Sequence, residues 1–184
     1  MPDATYVTAG KPKIGGSVYR APLGTTLPTN ATTALGTAFV DQGHISDEGL
    51  KNNNTASSDS VKAWGGQVVL NLQSEKPDEW SFTLLGAKDV NVLKTVYGDD
   101  NVSGTLATGV VVQANADELP DSSWVFEMVL KGGTLKRVVL PDAMIKEIAE
   151  ITYSDSAAVG YGITLSALPD TSGNTHYEYL VDDD

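Results

Sequence analysis

The chain has 184 residues, of which 41% are hydrophobic, and this is enough for one ordinary domain with a sizeable core. Twelve Lys and Arg residues against 24 Asp and Glu residues give a net charge of −12. This argues against tight DNA binding, which needs clustered basic side chains. The absence of cysteine excludes disulfides and thiolate metal sites. Neither a signal peptide nor a membrane-spanning stretch is recognisable, so we expect a soluble protein made in the cytoplasm, with no membrane role.

The N-terminal segment, residues 1–35, is rich in Thr, Ala, Gly and Pro. Pro12, Pro22 and Pro28 interrupt any long strand or helix because each lacks a backbone donor and restricts the residue before it. The composition predicts an extended arm with one short strand near 17–20. The arm contains few large apolar residues, so we do not expect it in the core. It either becomes ordered on another chain or remains a flexible terminus.

A long inter-strand loop is expected at residues 42–60. Residues 51–60 include a single apolar side chain, Ala56. Connections this long without structure are uncommon inside compact domains and usually have a function or are disordered.

From residue 61 onward, apolar residues recur at every second position, as in strands with one buried face. The apolar sets are Val68/Leu70/Leu72, Trp80/Phe82/Leu84, Trp124/Phe126/Met128/Leu130 and Val159/Tyr161/Ile163/Leu165/Ala167. Gly132 and Gly133 between two such runs predict a hairpin turn, because paired glycines readily adopt positive φ. We therefore place a β-core at 61–181.

Two segments have helical features. Residues 88–97 place Val92, Leu93 and Val96 on one face and stop before Gly98, which predicts a helix packed on a sheet. Residues 143–151 are good helix formers with β-rich neighbours, so the residues alone leave helix and strand open. The expected fold is mainly β: an antiparallel β-sandwich or barrel with one packed α-helix, in a single domain over 1–184.

Catalytic and metal motifs are absent from the sequence. His44 lies among loop carboxylates without a known ligand spacing, and we interpret it as solvated. We interpret His176 as a surface strand residue. There is no nucleophile elbow, and the glycines and lysines of residues 10–16 do not match a phosphate-binding loop. A hydrolase that uses paired carboxylates stays open, but no pair is singled out. We expect no cofactor and no enzymatic activity.

Three tryptophans could form a sugar-binding platform or belong to the core. Trp80 and Trp124 are in register with the apolar sides of their strands, which favours core packing. The position of Trp64, next to Gly65 and Gly66, stays open. A carbohydrate-binding or adhesive β-sandwich module is therefore the alternative functional interpretation.

The order of several segments gives a more specific indication: residues 21–50 (APLGTTLPTNATTALGTAFVDQGHISDEGL), 61–66 (VKAWGG), 92–98 (VLKTVYG) and 160–180 (GYGITLSALPDTSGNTHYEYL). In this order the chain resembles the major tail tube proteins of long-tailed bacteriophages. The resemblance implies a β-sandwich or barrel related to the ring-forming protein of type VI secretion. It also implies homohexameric rings that stack into a tube, and strands across 136–153.

The resemblance further implies that the arm, near 5–28, and the loop at 42–60 bridge subunits and rings. The candidate contact residues are Lys11, Pro12, Tyr19, Pro22, Leu23, Pro28, Asp47, Leu50, Asn52, Asn53 and Asn54. The implied partners are further copies of the chain and the tape measure, tail terminator and baseplate or initiator proteins. The implied location is the virion tail, with assembly in the host cytoplasm.

In that family, DNA passes through the tube without specific binding. An acidic wall would repel DNA over about 8–10 Å at physiological salt, so the net charge of −12 predicts an electronegative lumen. Glu127, at a polar position of a predicted strand, is a candidate lumen acid.

Overall fold

The fold is described by a computed structural model covering residues 6–182, in which there are thirteen β-strands and one α-helix. The strands are β1 (Gly10–Pro12), β2 (Val18–Pro22), β3 (Val40–Asp41), β4 (Lys51–Asn53), β5 (Ser57–Lys62), β6 (Val68–Glu75), β7 (Glu79–Leu84), β8 (Val102–Thr105), β9 (Gly109–Val112), β10 (Ser122–Leu130), β11 (Leu135–Ile148), β12 (Tyr161–Leu168) and β13 (Tyr177–Val181). The helix is α1 (Val90–Tyr97). A 3₁₀ turn follows it at Asp99–Asn101.

Nine strands form one antiparallel sheet in the order β3-β2-β10-β11-β12-β7-β4, with β1 also paired to β10 and β13 to β11. The long strand β11 joins two parts of this sheet: its first half pairs with β13 and its second half with β12. Two hairpins, β5–β6 and β8–β9, form separate two-stranded sheets. The expected antiparallel, mainly β fold is confirmed. Within residues 6–182, the strand order ends at β3 and β4 and does not close into a barrel.

The main core lies between this sheet and α1. The helix begins after Asp89, whose carboxylate accepts a 2.9 Å hydrogen bond from the Asn91 backbone N–H, and it ends at Gly98. It buries Val92 and Val96 against the sheet. The helix predicted at 88–97 is therefore confirmed. The largest sheet residues in this core are Trp80, Phe82, Leu84, Trp124, Phe126, Leu140, Tyr161, Ile163 and Leu165.

A second, smaller core lies on the opposite side of β10 and β11. It contains Ala21, Phe39, Val125 and Val139, and several half-buried side chains pack against it: Tyr19, Leu27, Leu35, Tyr177 and Tyr179. The expectation that the arm stays out of the core is therefore wrong for its second half. A few spaced apolar residues are sufficient because β10 and β11 already provide the other side of this cluster.

The remaining expectations have mixed outcomes. Residues 143–148 are strand, as the resemblance implied, because this segment pairs with β12. The strand ends at Ile148, so the implied strand does not extend to residue 153. The predicted turn is present: Gly132 and Gly133 have φ of 106° and 100°, and the Leu130 N–H donates to the Thr134 carbonyl at 2.8 Å. Residues 42–60 are not one loop, since they contain β4 and the first four residues of β5. Among residues 6–182, the structure has no helix long and apolar enough to cross a membrane.

Candidate assembly surfaces

The hairpin β5–β6 projects from the protein, and every residue from 51 to 76 is exposed. Its register places Val61 opposite Leu70 and Asp59 opposite Leu72. Opposed residues of an antiparallel pair share a face, and every second residue returns to that face. One face of the hairpin is therefore apolar.

The apolar face carries Val61, Val68, Leu70 and Leu72, with the charged Asp59 and Lys62 at its two ends, opposite Leu72 and Val68. The opposite face carries mainly hydroxyl and amide groups, and on it the Ser60 hydroxyl donates to the Asn71 side-chain oxygen at 2.7 Å. The strand predicted at Val68/Leu70/Leu72 is present. The prediction that its apolar side is buried is wrong, because the rest of the chain does not cover it. Leu70 and Leu72 are 49% and 52% exposed. The amphipathic pattern thus indicates a face that the rest of the chain leaves uncovered.

Trp64 is fully exposed at the tip of this hairpin. The turn that carries it is closed by two backbone hydrogen bonds, from Ala63 N–H to the Gln67 carbonyl at 2.8 Å and from Gly66 N–H to the Ala63 carbonyl at 3.0 Å. Trp80 and Trp124 are buried, which confirms their predicted core role. The three tryptophans therefore do not share one binding platform.

A groove of about 670 Å³, here called the core-end groove, opens where the main core reaches the surface. Its apolar lining is Pro12, Val18, Ile45, Leu50, Phe126, Met128, Leu130 and Leu180, and its other residues are Thr8, Gly10, Lys11, Ser17, Asp47, Glu48, Gly49, Glu127 and Lys136. Four predicted contact residues, two from the arm (Lys11, Pro12) and two from the loop (Asp47, Leu50), are brought together here.

A second groove of about 470 Å³, the helix-side groove, includes the predicted contact residues Pro22 and Leu23. Its full lining is Arg20, Ala21, Pro22, Leu23, Val40, Gln42, Asn91, Lys94, Asp99, Pro120, Asp121 and Ser122. Arg20 joins β2 to the end of α1, because its Nη2 lies 3.0 Å from Asp99 Oδ2 and its Nε donates to Ser122 Oγ at 3.0 Å.

The other predicted contact residues are scattered. Tyr19 is half-buried, and burial together with Asp41 and Glu127 raises the pKa of its hydroxyl. Pro28 is buried. Asn53 and Asn54 are exposed in and after β4. Residues 1–5 of the predicted arm lie outside the described residues.

Glu127, the candidate lumen acid, is only 6% exposed. Its carboxylate pairs with the buried Arg137 and also with Lys13, whose Nζ lies 3.0 Å from Glu127 Oε2. Alternation predicted a solvent-facing side chain, but residues 17–39 cover this face of β10. A buried and paired carboxylate presents little free charge, so other acids are better candidates for a tube wall.

Asp78 is the centre of a buried polar cluster at the base of the hairpin. Asn52 Nδ2 donates to Asp78 Oδ1 at 2.7 Å, Thr175 Oγ1 donates to Oδ2 at 2.6 Å, and His176 Nδ1 pairs with Oδ2. Burial alone would raise the pKa of Asp78, but the hydrogen bonds from Thr175, His176 and Asn52 outweigh it and hold that pKa below its usual value.

His176 is thus half-buried just before β13, and not on the surface of a strand as predicted. No motif in the sequence indicates its pairing with Asp78, because the two residues are far apart along the chain.

His44 is exposed. Among residues 6–182, no group of three or more His, Asp or Glu side chains is arranged to hold a metal ion.

The uncovered apolar face of the hairpin, on an otherwise well-packed antiparallel β-fold, is typical of a protein that binds partners through this surface. The family model for phage tail tube proteins matches residues 2–184, and the chain belongs to this family. Proteins of the family are structural components of the phage tail.

One similar solved structure is a cryo-EM structure of the anti-feeding prophage cap, the tube-terminating cap of that particle. It is 11% identical to this chain, the match covers 93% of each chain, and the TM-score is 0.43. A comparison with curated proteins gave no match.

Proposed function

We propose that the chain is the subunit of a phage tail tube, in which homohexameric rings stack into a conduit for DNA. Residues 1–184 act as a single tail tube domain with a structural role and no catalytic one. Membership of the tail tube family supports the tube, and the uncovered face of β5–β6 supports assembly through this surface.

The apolar face of the hairpin is the observation that carries the proposal. Burying a fully exposed Val or Leu side chain contributes about 1.5–3 kcal/mol. Val61, Val68, Leu70 and Leu72 are each about half exposed, so covering them together adds several kcal/mol to an association. A hairpin of two strands is only marginally stable by itself, which gives a second reason for a neighbouring copy to pack on it.

The arm and the segment around β4 supply further contacts in this proposal. Lys11 and Pro12 lie on exposed β1 and line the core-end groove together with Asp47. Asn53 and Asn54 lie on the exposed approach to the hairpin. Pro28 is not carried forward as a contact because it is buried in its own chain.

The acidity of the chain suits a conduit for DNA. A wall that binds phosphates would release counterions and hold the DNA, whereas an acidic wall repels it. We infer an electronegative lumen formed by exposed acids, with Glu127 excluded because its charge is paired. The further partners in this proposal are the tape measure, tail terminator and baseplate or initiator proteins, joined during assembly in the host cytoplasm.

The test is electron microscopy of the purified chain over a range of concentrations, together with sedimentation. Rings or tubes with sixfold symmetry are the expected result. A monomer that persists at high concentration, also after addition of its phage's initiator complex, would contradict the proposal. A tube wall dominated by Lys and Arg would contradict only the electronegative lumen.

A further inference from the structure

We propose that Trp64, at the hairpin tip of one copy, inserts into the core-end groove of a neighbouring copy. The inference rests on the proposed function, because it requires the chain to assemble with itself. It adds a specific pair of surfaces to that assembly.

Trp64 has the features of an anchor for a partner. Tryptophan is among the residues that most often dominate the energy of an interface. The turn that presents it is closed by two backbone hydrogen bonds, and Gly65 and Gly66 have the positive φ, 105° and 89°, that this tight turn requires. Because the backbone of this turn is already ordered, binding of Trp64 adds no cost of ordering the loop. The tip is therefore pre-organised, and Trp64 lies uncovered on it.

The core-end groove has the features of the matching receptor. Its floor is the open end of the main core, where Phe126, Met128 and Leu130 line the cavity of about 670 Å³. Methionine adapts easily to an aromatic partner and forms favourable contacts between its sulfur and the ring. The Trp64 indole bound in this groove would add apolar contacts to the main core of the copy that provides the groove.

Charges around the two surfaces are complementary. Lys62 and Asp59 lie on β5 of the hairpin, and Asp47 and Lys11 line the groove. Of the ion pairs found among residues 6–182, none includes any of these four side chains. Each surface thus offers one positive and one negative side chain to the other.

The helix-side groove is the competing receptor and fits less well. Its apolar lining is Ala21, Pro22, Leu23, Val40 and Pro120, with no aromatic or methionine side chain such as Phe126 and Met128 of the core-end groove. Its Arg20 and Asp99 are already paired with each other. It offers an indole fewer large apolar contacts.

Cysteine cross-linking distinguishes the two grooves, because the chain has no cysteine of its own. Ala63→Cys places a thiol beside Trp64, Leu180→Cys places one in the core-end groove, and Leu23→Cys places one in the helix-side groove. Each single variant is prepared separately. The Ala63→Cys chain carries a tag, so that a mixed dimer differs in mass from either dimer of identical chains. Mixed tubes are then oxidised.

We expect a mixed dimer between Ala63→Cys and Leu180→Cys, and none between Ala63→Cys and Leu23→Cys. In addition, Trp64→Ala should raise the concentration needed for assembly by at least about tenfold, with a smaller effect for Trp64→Phe. Quenching of tryptophan fluorescence gives an independent readout, because Trp80 and Trp124 are buried in the single chain. Assembly should protect Trp64 from the quencher.

Tubes that form with Trp64 still accessible to the quencher and without the Leu180 cross-link would overturn the inference and leave the proposed function intact. A cross-link to Leu23→Cys in place of Leu180→Cys would also overturn it. If the unchanged chain formed neither rings nor tubes, the proposed function itself would fail.

Discussion

Glu127 and Arg137 face each other across β10 and β11 and form an ion pair that is almost closed to solvent. The Arg137 side chain also donates to the carbonyls of Asn30 and Thr33, at 2.7 and 2.8 Å. One buried guanidinium therefore joins the sheet to the segment that covers its second face. Asn30 supports this contact, because its side-chain oxygen accepts from the backbone N–H groups of Thr32 and Thr33.

Glu127→Ala should lower the free energy of unfolding by about 3–5 kcal/mol, because it leaves the Arg137 charge buried without its partner. Urea denaturation of the unassembled chain measures this. The matched control is Glu178→Ala, which breaks a more exposed pair with Lys136 on the same sheet and should cost about 0–1 kcal/mol. Equal losses for the two variants would show that burial of Arg137 does not matter.

The second core gives a prediction about the segment that covers this side of β10 and β11. Phe39 is buried against Val125 and Val139 of the same chain, so Phe39→Ala should destabilise the unassembled chain by about 3 kcal/mol. Thermal or urea unfolding at low concentration is the measurement. Val40→Ala, at the exposed neighbouring position, is the control and should change stability little. If Phe39→Ala affected only assembly, the segment before it would be ordered by another chain.

Asp78 makes stability depend on pH in a defined direction. Its folded-state pKa is lowered, and the unfolded value is about 3.9. The ionised carboxylate therefore stabilises the fold fully above the unfolded value, and this contribution is lost as the pH falls through the lower folded-state pKa.

Comparing the unchanged chain with Asp78→Asn tests this. The stability difference between them should be largest above about pH 4 and should shrink at lower pH. Thr175→Val removes one of the hydrogen bonds that lower the Asp78 pKa, so in this variant the loss should be smaller and should be complete at a higher pH. A stability difference that stays constant down to acid unfolding would contradict the assignment.

Local patterns predicted the elements well where one physical requirement dominated. The alternation ending at Leu165 and Ala167 became β12, with alternate residues buried, and the apolar side of residues 88–97 became the packed face of α1. The residues alone could not decide 143–148, where helix propensity competes with pairing to β12. The segment is strand because it continues β11 from its pairing with β10 directly into its pairing with β12.

The candidate site was predicted less completely, for two reasons. Alternation indicates that one face of a strand is apolar but not which molecule covers it, so Leu70 and Leu72 were expected to be half-buried. Conversely, Glu127 was expected to be exposed because its partner Arg137 is recognisable only once β10 and β11 are in register. The grooves are lined by residues from distant parts of the chain, and no local sequence pattern indicates that these residues lie close together.

The hairpin face supports the most direct test of assembly. Leu70→Ser with Leu72→Ser removes half of the apolar face, and these residues are already exposed in the single chain. The stability of the unassembled chain should therefore change by no more than about 0.5 kcal/mol. Assembly should be abolished or strongly weakened, because the apolar area that a neighbour would cover is lost. The measurements are thermal unfolding followed by circular dichroism, and sedimentation with electron microscopy.

The matched control for this test is Ser58→Ala with Ser60→Ala, on the opposite face of the same hairpin. Like the leucine variant, it changes two exposed side chains of the hairpin. It should leave assembly largely intact if the apolar face is the contact. Loss of assembly in both double variants would indicate that the whole hairpin, and not one face, is buried between copies. Normal tubes from the leucine variant would show that the apolar face lies outside the contacts between subunits, and assembly would then have to rest on the arm and the grooves.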